Sequence, residues 1–140
     1  MAAFNKINDF SKQLLLGTHI IGTHTFKIML AASCASTNSV KGSLEIADGN
    51  GYPEGGATTT LALSETGGVT TVTGTEVTFA AVGGSITPFR YAVLYNDTAA
   101  SDNLIGFWDY GSTVTLLDTQ TFTVRFNGTT PGTIFTLTAN

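Results

Sequence analysis

The chain has few charged residues, and this shortage limits the kinds of partner it can bind. Only 11% of its 140 residues are Asp, Glu, Lys or Arg, less than half of the roughly 25% that is usual in soluble domains. The six Lys and Arg residues are scattered along the chain. Binding nucleic acid requires clustered cations that neutralise phosphates, so we expect no nucleic-acid partner.

Cysteine and long apolar runs are also scarce. Cys34 is the single cysteine, which excludes an intrachain disulfide and any dependence on an oxidising compartment. The longest apolar runs are far shorter than the ~20 residues of a membrane-spanning helix. The N-terminus lacks the unbroken apolar stretch of a signal peptide. We therefore expect no membrane partner and synthesis in a cytoplasm.

Threonine and glycine take the place of the missing charge, with 25 and 16 residues respectively. Threonine is β-branched and favours strands, and short alternating runs follow one another between Gly-rich turns. We predict strands over residues 24–32, 57–64, 69–74, 76–82, 89–96, 103–111, 113–118, 121–128 and 133–139. Such spacing predicts an all-β fold, an antiparallel β-sandwich or jelly roll, in one domain spanning 1–140.

The N-terminal segment differs from this pattern. Apolar residues at 3.6-residue spacing predict a helix over residues 3–16, ended by Gly17, so that a short helix or arm covers 1–17. Three of its apolar residues form a patch near the N-terminus: Phe4, Ile7 and Phe10. This patch packs either on the protein's own sheet or on a neighbouring subunit.

Residues 33–57 are polar and Gly-rich, with "ADGNGYPEGG" at their centre. Gly-Asn-Gly and Pro-Glu-Gly-Gly supply the dihedral angles that sharp turns require. A 25-residue loop is long for a compact domain, and we therefore expect an exposed functional or contact loop.

The stretch "PFRYAVLYNDTAASDNLIGFWDYG" (88–111) holds six aromatic residues. Alternation places apolar side chains on both faces of its two runs, which predicts a central hairpin covered on both sides. The second apolar face is covered either by the protein itself or by a neighbouring subunit. Gly106 leaves room for a large ring opposite it.

Residues able to carry chemistry are few, and none forms a recognisable site. His19 and His24 have no third ligand nearby, and Cys34 has no adjacent base. The loop "DGNGYPE" (48–54) does not match the spacing of a calcium-binding loop. We therefore expect no catalytic residue, no metal site and no cofactor, and hence no enzyme.

Three carboxylates, Asp97, Asp102 and Asp109, surround the aromatic stretch. Glycosidases use paired carboxylates, and aromatic rings often stack on sugars. Turn capping is the more usual task of such aspartates. A glycan-binding face at this stretch is kept as an alternative.

Three stretches resemble small structural proteins of tailed bacteriophage virions: "MAAFNKIND", "NGYPEGG" and "GGSITPFRYAVLYNDTAASDNLIGFWDYG". The similarity covers most of the chain and is densest at residues 83–111. It implies a capsid cement or decoration protein that binds the outer shell and braces it. A head–tail junction, tail or fibre component is the alternative within the same group.

The resemblance implies a location on the capsid surface of the virion, after synthesis in the cytoplasm of the bacterial host. Its implied partners are the major capsid protein and further copies of the chain, as a dimer or trimer. The expected contact regions are the N-terminal segment, the long loop and the last strand, with candidate interface residues Phe4, Ile7, Phe10, Tyr52, Phe135 and Leu137.

Overall fold

Strands account for most of the regular structure, as the Thr-rich alternating runs predict. The computed structural model describes residues 2–139. The strands in this range are β1 (Phe4–Lys6), β2 (Phe26–Ala31), β3 (Ala57–Thr59), β4 (Leu61–Thr66), β5 (Val69–Gly74), β6 (Val77–Ala80), β7 (Ile86–Asn96), β8 (Leu104–Leu116), β9 (Thr121–Val124) and β10 (Gly132–Thr138), and one helix, α1 (Phe10–Leu15), follows β1. Several antiparallel sheets pack together, which confirms the predicted all-β sandwich class.

Three sheets share one hydrophobic core. The largest has the strand order β1-β8-β7-β2-β3, a second has the order β10-β5-β4, and β6 pairs with β9. All of these pairings are antiparallel. The aromatic stretch forms the β7–β8 hairpin at the centre of the five-stranded sheet, as its apolar faces predict.

Both faces of β7 are covered by the chain itself. On one face, the side chain of Asn96 contacts the segment that follows α1, through the carbonyl oxygen of Thr18 at 3.0 Å. On the opposite face, the Tyr95 hydroxyl donates to the carbonyl oxygen of Gly55 in the long loop at 2.7 Å. The loop 33–57 therefore covers this second face at Tyr95, while Phe122 on β9 packs against Phe89 of the same hairpin.

Gly106 accommodates a large ring, as expected, and the ring belongs to Phe4. A Cβ atom at Gly106 would lie 2.3 Å from two carbon atoms of the Phe4 ring. That ring also lies 5.0 Å from Trp108 and stacks at 5.6 Å on Phe135. Phe4 thus links the five-stranded sheet to the three-stranded sheet, since Phe135 lies on β10.

The predicted helix over residues 3–16 is wrong in its first half. Residues Phe4–Lys6 form an edge strand that pairs with β8, and the helix spans only Phe10–Leu15. The spacing of Phe4 and Ile7 fits a helical face, but contacts of Phe4 across the sheet outweigh this local preference. Gly17 does end the helical segment, with a φ of 82°.

Several strand boundaries also differ from the prediction. The run 121–128 is a strand only over Thr121–Val124, and Phe126–Gly128 form a short 3-10 helix. The run 57–64 is divided at Thr60, where the chain passes from the edge of the five-stranded sheet to the edge of the three-stranded sheet. The runs 103–111 and 113–118 form one continuous strand, β8. Gly111, with a φ of 81°, lets this strand continue through what its sequence suggests is a turn.

Candidate functional site

The six predicted contact residues are mostly covered within the chain. Ile7, Phe10 and Tyr52 are at most 3% exposed and belong to the core. Phe135 is also buried, while Phe4 and Leu137 are half-buried. The prediction assumed that these segments are poorly covered within one subunit, and this assumption is wrong for the buried four. A contact with another subunit stays a prediction for Phe4 and Leu137.

The long loop is fixed to the sheet by a network centred on Tyr52. Its hydroxyl donates to Glu45 Oε1 at 2.8 Å and accepts from the Leu30 amide at 3.0 Å. Glu45 also accepts from the amide of Gly55 at 2.6 Å and pairs with Lys41 at 3.0 Å. Burial raises the pKa of Tyr52, so this hydroxyl stays protonated. Tyr52 therefore anchors the loop to the core, while most other residues of the loop are exposed or half-buried.

The aromatic stretch offers little surface for stacking on a sugar. Tyr95, Phe89 and Trp108 are at most 2% exposed. Asp109 is held by Arg90, whose Nε donates to Oδ1 at 2.7 Å, and this hydrogen bond lowers the pKa of Asp109. The Asp109 carboxylate is thus engaged in an ion pair with Arg90.

Asp97 also has a structural partner. Its Oδ2 lies 3.3 Å from the Lys27 ammonium on the neighbouring strand. Asp102 has a φ of 48°, a turn conformation that Asp tolerates, and its carbonyl oxygen accepts from Lys41 N at 3.0 Å. These contacts correspond to the turn and pairing roles that are usual for aspartates in such positions.

The two histidines meet at one asparagine. Asn96 Nδ2 lies 3.2 Å from His19 Nδ1 and 2.9 Å from His24 Nδ1. The Asn96 amide nitrogen carries two hydrogens and also lies 3.0 Å from the carbonyl oxygen of Thr18, so three neighbouring atoms share these two hydrogens. His19 Nε2 is buried and has no hydrogen-bond partner among residues 2–139. Burial, together with repulsion from His24, lowers the pKa of His19 to about 4.

Other reactive groups stand apart from one another. Burial raises the pKa of the Cys34 thiol to about 11, which keeps it protonated at neutral pH. Within the described part of the chain, no three His, Cys, Asp or Glu side chains lie close enough to hold a metal ion. No helix among these residues is both long and apolar enough to cross a membrane.

An apolar concavity lies between the three-stranded sheet and the α1 segment, and we call it the groove. Its floor is a row of side chains that face each other across three strands: Leu63 on β4, Val72 on β5 and Phe135 on β10. Its wall is formed by Phe10, Leu14, Ile20 and Ile21. The volume is about 350 Å³, within the range of small-molecule sites.

Exposed leucines and an isoleucine continue the apolar surface beyond the groove. Leu15 is 88% exposed, Leu16 is 67% exposed and Ile20 is 48% exposed. They lie within the run "LLLGTHII" (14–21), which contains no charged residue. Scattered apolar side chains are normal on a surface, but several together around a groove mark an interaction site. We call Leu15, Leu16 and Ile20 the rim of the groove.

Neither the rim nor Leu63 was predicted as a contact site from the sequence. The available signal was the run "LLLGTHII", because three consecutive leucines point in different directions and cannot all face one core. Leu15 falls near the predicted inner face of a longer helix over 3–16. It faces outward because it lies about 140° around the helix from the buried Phe10.

Comparison with known proteins identifies no relative. The chain matches no protein-family model, no curated protein and no solved structure. The candidate contact surface is therefore defined by its own geometry: an apolar groove, its exposed rim and a largely uncharged surrounding sequence.

Proposed function

We propose that this chain is a structural protein of a phage virion, a cement or decoration protein that binds the outer capsid surface and stabilises the shell. Its partner is the major capsid protein, and further copies of the chain join it on the particle. It is made in the host cytoplasm and acts by contact, without catalysis. The likeness of three sequence stretches to phage structural proteins motivates the proposal.

The observation that carries the proposal is the exposed rim beside the groove. Leu15 and Leu16 together project two large apolar side chains into solvent. Full burial of a leucine side chain contributes roughly 1.5–3 kcal/mol of favourable free energy. A protein surface that covers both would therefore obtain a useful part of its binding free energy from these two residues.

The charge distribution supports the same surface. Between Asp9 and Lys27, only Lys12 is charged, and it lies on the helix in contact with Asp9 at 3.7 Å. A surface with few charges loses little hydration free energy when it is covered. Low charge also limits repulsion between many identical copies on one shell.

The experiment adds purified protein to capsids that lack it and measures bound copies by sedimentation and gel densitometry. The test variant is Leu15→Lys with Leu16→Lys. Both residues are so exposed that the substitutions leave the free energy of unfolding within about 0.5 kcal/mol. We expect the affinity for capsids to fall at least 10-fold, because two apolar contacts are replaced by charged side chains.

The matched control places the same charges elsewhere on the surface. Val82 and Leu117 are 66% and 53% exposed and lie outside the groove. The variant Val82→Lys with Leu117→Lys is expected to bind like the wild type. Equal binding by all three proteins would refute the role of the rim. Binding only to tails or connectors would favour a head–tail junction, tail or fibre component instead.

A further inference from the structure

The outer edge of β4 offers a second interaction surface, made of main-chain groups. β4 is the last strand in the order β10-β5-β4, and no other strand in residues 2–139 pairs with its outer side. Its six residues pair with β5 without any shift in register. An edge of this kind presents a row of hydrogen-bonding groups that another strand can use.

The hairpin geometry shows which residues of β4 face outward. Gly67 and Gly68 form a two-residue turn with φ values of 58° and 85°, so Thr66 and Val69 form the hydrogen-bonded pair next to the turn. Hydrogen-bonded and non-hydrogen-bonded pairs alternate along an antiparallel hairpin. The amide and carbonyl groups of Leu61, Leu63 and Glu65 therefore point away from β5. Leu63 also exposes 53% of its side chain.

The other sheet edges carry features that discourage pairing, whereas β4 does not. β1 and β3 have three residues each, β6 and β9 have four, and β10 has a register shift between Thr133 and Phe135. Natural edges are usually protected by shortness, bulges, proline or lysine. β4, with the sequence LALSET, is longer and has no such residue.

The one charged residue of β4, Glu65, is hydrogen-bonded by the chain's own turn. Its carboxylate accepts a hydrogen bond from the amide of Gly68 at 2.8 Å. The remaining side chains of β4 are apolar or hydroxylated. The edge can therefore meet another strand without bringing a free charge into the contact.

We propose that β4 pairs antiparallel with β4 of a second copy of this chain across a twofold axis at Leu63. The two Leu63 residues then form a hydrogen-bonded pair, and Leu61 of each copy lies opposite the partner's Glu65. The three pairs of outward-facing residues form about six hydrogen bonds. The two three-stranded sheets become one six-stranded sheet.

This register suits the chain's own charges and closes the assembly. The two Glu65 residues lie four positions apart along the joined strands, roughly 13–14 Å, which exceeds the ~8 Å screening length at physiological ionic strength. Leu63 meets its own copy on the same face, so two half-exposed apolar side chains cover each other. A twofold contact uses both edges at once and yields a dimer rather than a fibre.

The proposal specifies the contact between copies and does not depend on binding to a capsid. It is tested on purified protein alone, whereas the role in the capsid is tested through Leu15 and Leu16. Leu63 also lies on the floor of the groove, so the two proposals are distinguished by the assay: association of the purified protein tests the dimer, and capsid binding of the Leu15 and Leu16 variant tests the role in the capsid.

The experiment measures molar mass by sedimentation equilibrium from 1 to about 100 µM, a range in which moderate association is visible. The wild type is expected to form a dimer. Leu63→Pro removes an outward amide that makes no bond to β5, which an edge strand tolerates, and is expected to be monomeric. Leu63→Lys places two like charges at the axis and is expected to weaken association at least 10-fold.

Two further variants serve as a control for the added charge and as a separate test of the register. Leu117→Lys makes the same change at a residue with the same 53% exposure, and it is expected to dimerise like the wild type. In a Cys34→Ala background, Leu63→Cys is expected to form a disulfide with its own copy on oxidation, since facing residues lie about 5.5 Å apart between Cα atoms. Circular dichroism confirms that each variant is folded.

A monomer at every concentration would overturn the proposal and would leave the β4 edge to a strand of another protein. A trimer would overturn it as well. So would a dimer that persists in both Leu63→Pro and Leu63→Lys, because the contact would then lie elsewhere.

Discussion

Replacing Tyr52 by phenylalanine tests whether the long loop belongs to the core. The substitution keeps the ring, which stacks on Phe79 with centroids 5.4 Å apart, and removes only the hydroxyl. The Leu30 amide then loses its partner at 3.0 Å inside the protein. Glu45 keeps the amide of Gly55 and the Lys41 ammonium, so the unpaired amide is the main cost.

A buried donor that loses its acceptor costs about 1–3 kcal/mol. We therefore expect Tyr52→Phe to lower the free energy of unfolding by about 2 kcal/mol, and the Tm by about 5–10 °C for a chain of this length. Urea denaturation at pH 7 measures the first quantity. The amides of Leu30 and Gly55 should also exchange faster with solvent, because the loop opens more easily.

The matched control is Tyr110→Phe. Tyr110 is half-buried, and its hydroxyl forms no hydrogen bond with any residue in the described range. Its removal is expected to change the free energy of unfolding by less than about 0.5 kcal/mol. Equal losses in the two variants, or no loss in Tyr52→Phe, would refute the role assigned to the Tyr52 hydroxyl.

Two further variants test other parts of the core. Gly106→Ala should lower the free energy of unfolding by about 1–3 kcal/mol in urea denaturation, because the added methyl group meets the Phe4 ring. In a Phe4→Ala background, the same substitution should lower it by less. An equal decrease in both backgrounds would contradict the contact. His19 has a folded-state pKa of about 4, below its ordinary 6.5, so only the unfolded chain takes up a proton between these values. The free energy of unfolding should therefore be highest above pH 6.5 and fall by about 3 kcal/mol towards pH 4 through this group. His19→Phe should remove this decrease. The same pH dependence in His19→Phe and in the wild type would contradict the assignment.

Local patterns in the sequence predict the strands whose faces are uniform along their length. β5 was predicted with its observed boundaries, since Val69 and Gly74 are flanked by glycine and polar residues. The β7–β8 hairpin was predicted because both of its faces are apolar. In these segments, period-2 alternation and burial coincide, so local composition is sufficient.

Features that depend on distant contacts were not predicted. The N-terminal strand exists because Phe4 packs on Gly106 and Phe135, both more than 100 positions away, and no local period encodes this. The anchoring of the long loop depends on hydrogen bonds of Tyr52 to Leu30 and Glu45. Gly-rich composition indicated exposure, and most of the loop is exposed or half-buried; it did not indicate that these bonds bury Tyr52 at the centre of the loop.

The groove and its rim also depend on contacts between residues that are distant in the sequence. Phe10 and Phe135 were predicted as interface residues. Their burial within the chain depends on the packing of α1 against β10, with the two ring centroids 5.4 Å apart. Leu15 is exposed because the burial of Phe10 turns the opposite side of α1 toward solvent, and Leu16 follows the end of the helix. An exposed apolar surface such as the rim can be identified only after the packing of the other residues is known.

The most direct test of the proposed role is a reconstruction by electron microscopy of particles with and without this protein. Particles that contain it are expected to show additional density on the outer face of the capsid, with the α1 segment and the groove turned toward the shell. Particles that lack it are expected to lose this density, keep intact tails and open at a lower temperature. Density confined to the neck or tail, or identical capsids in both samples, would contradict the proposal.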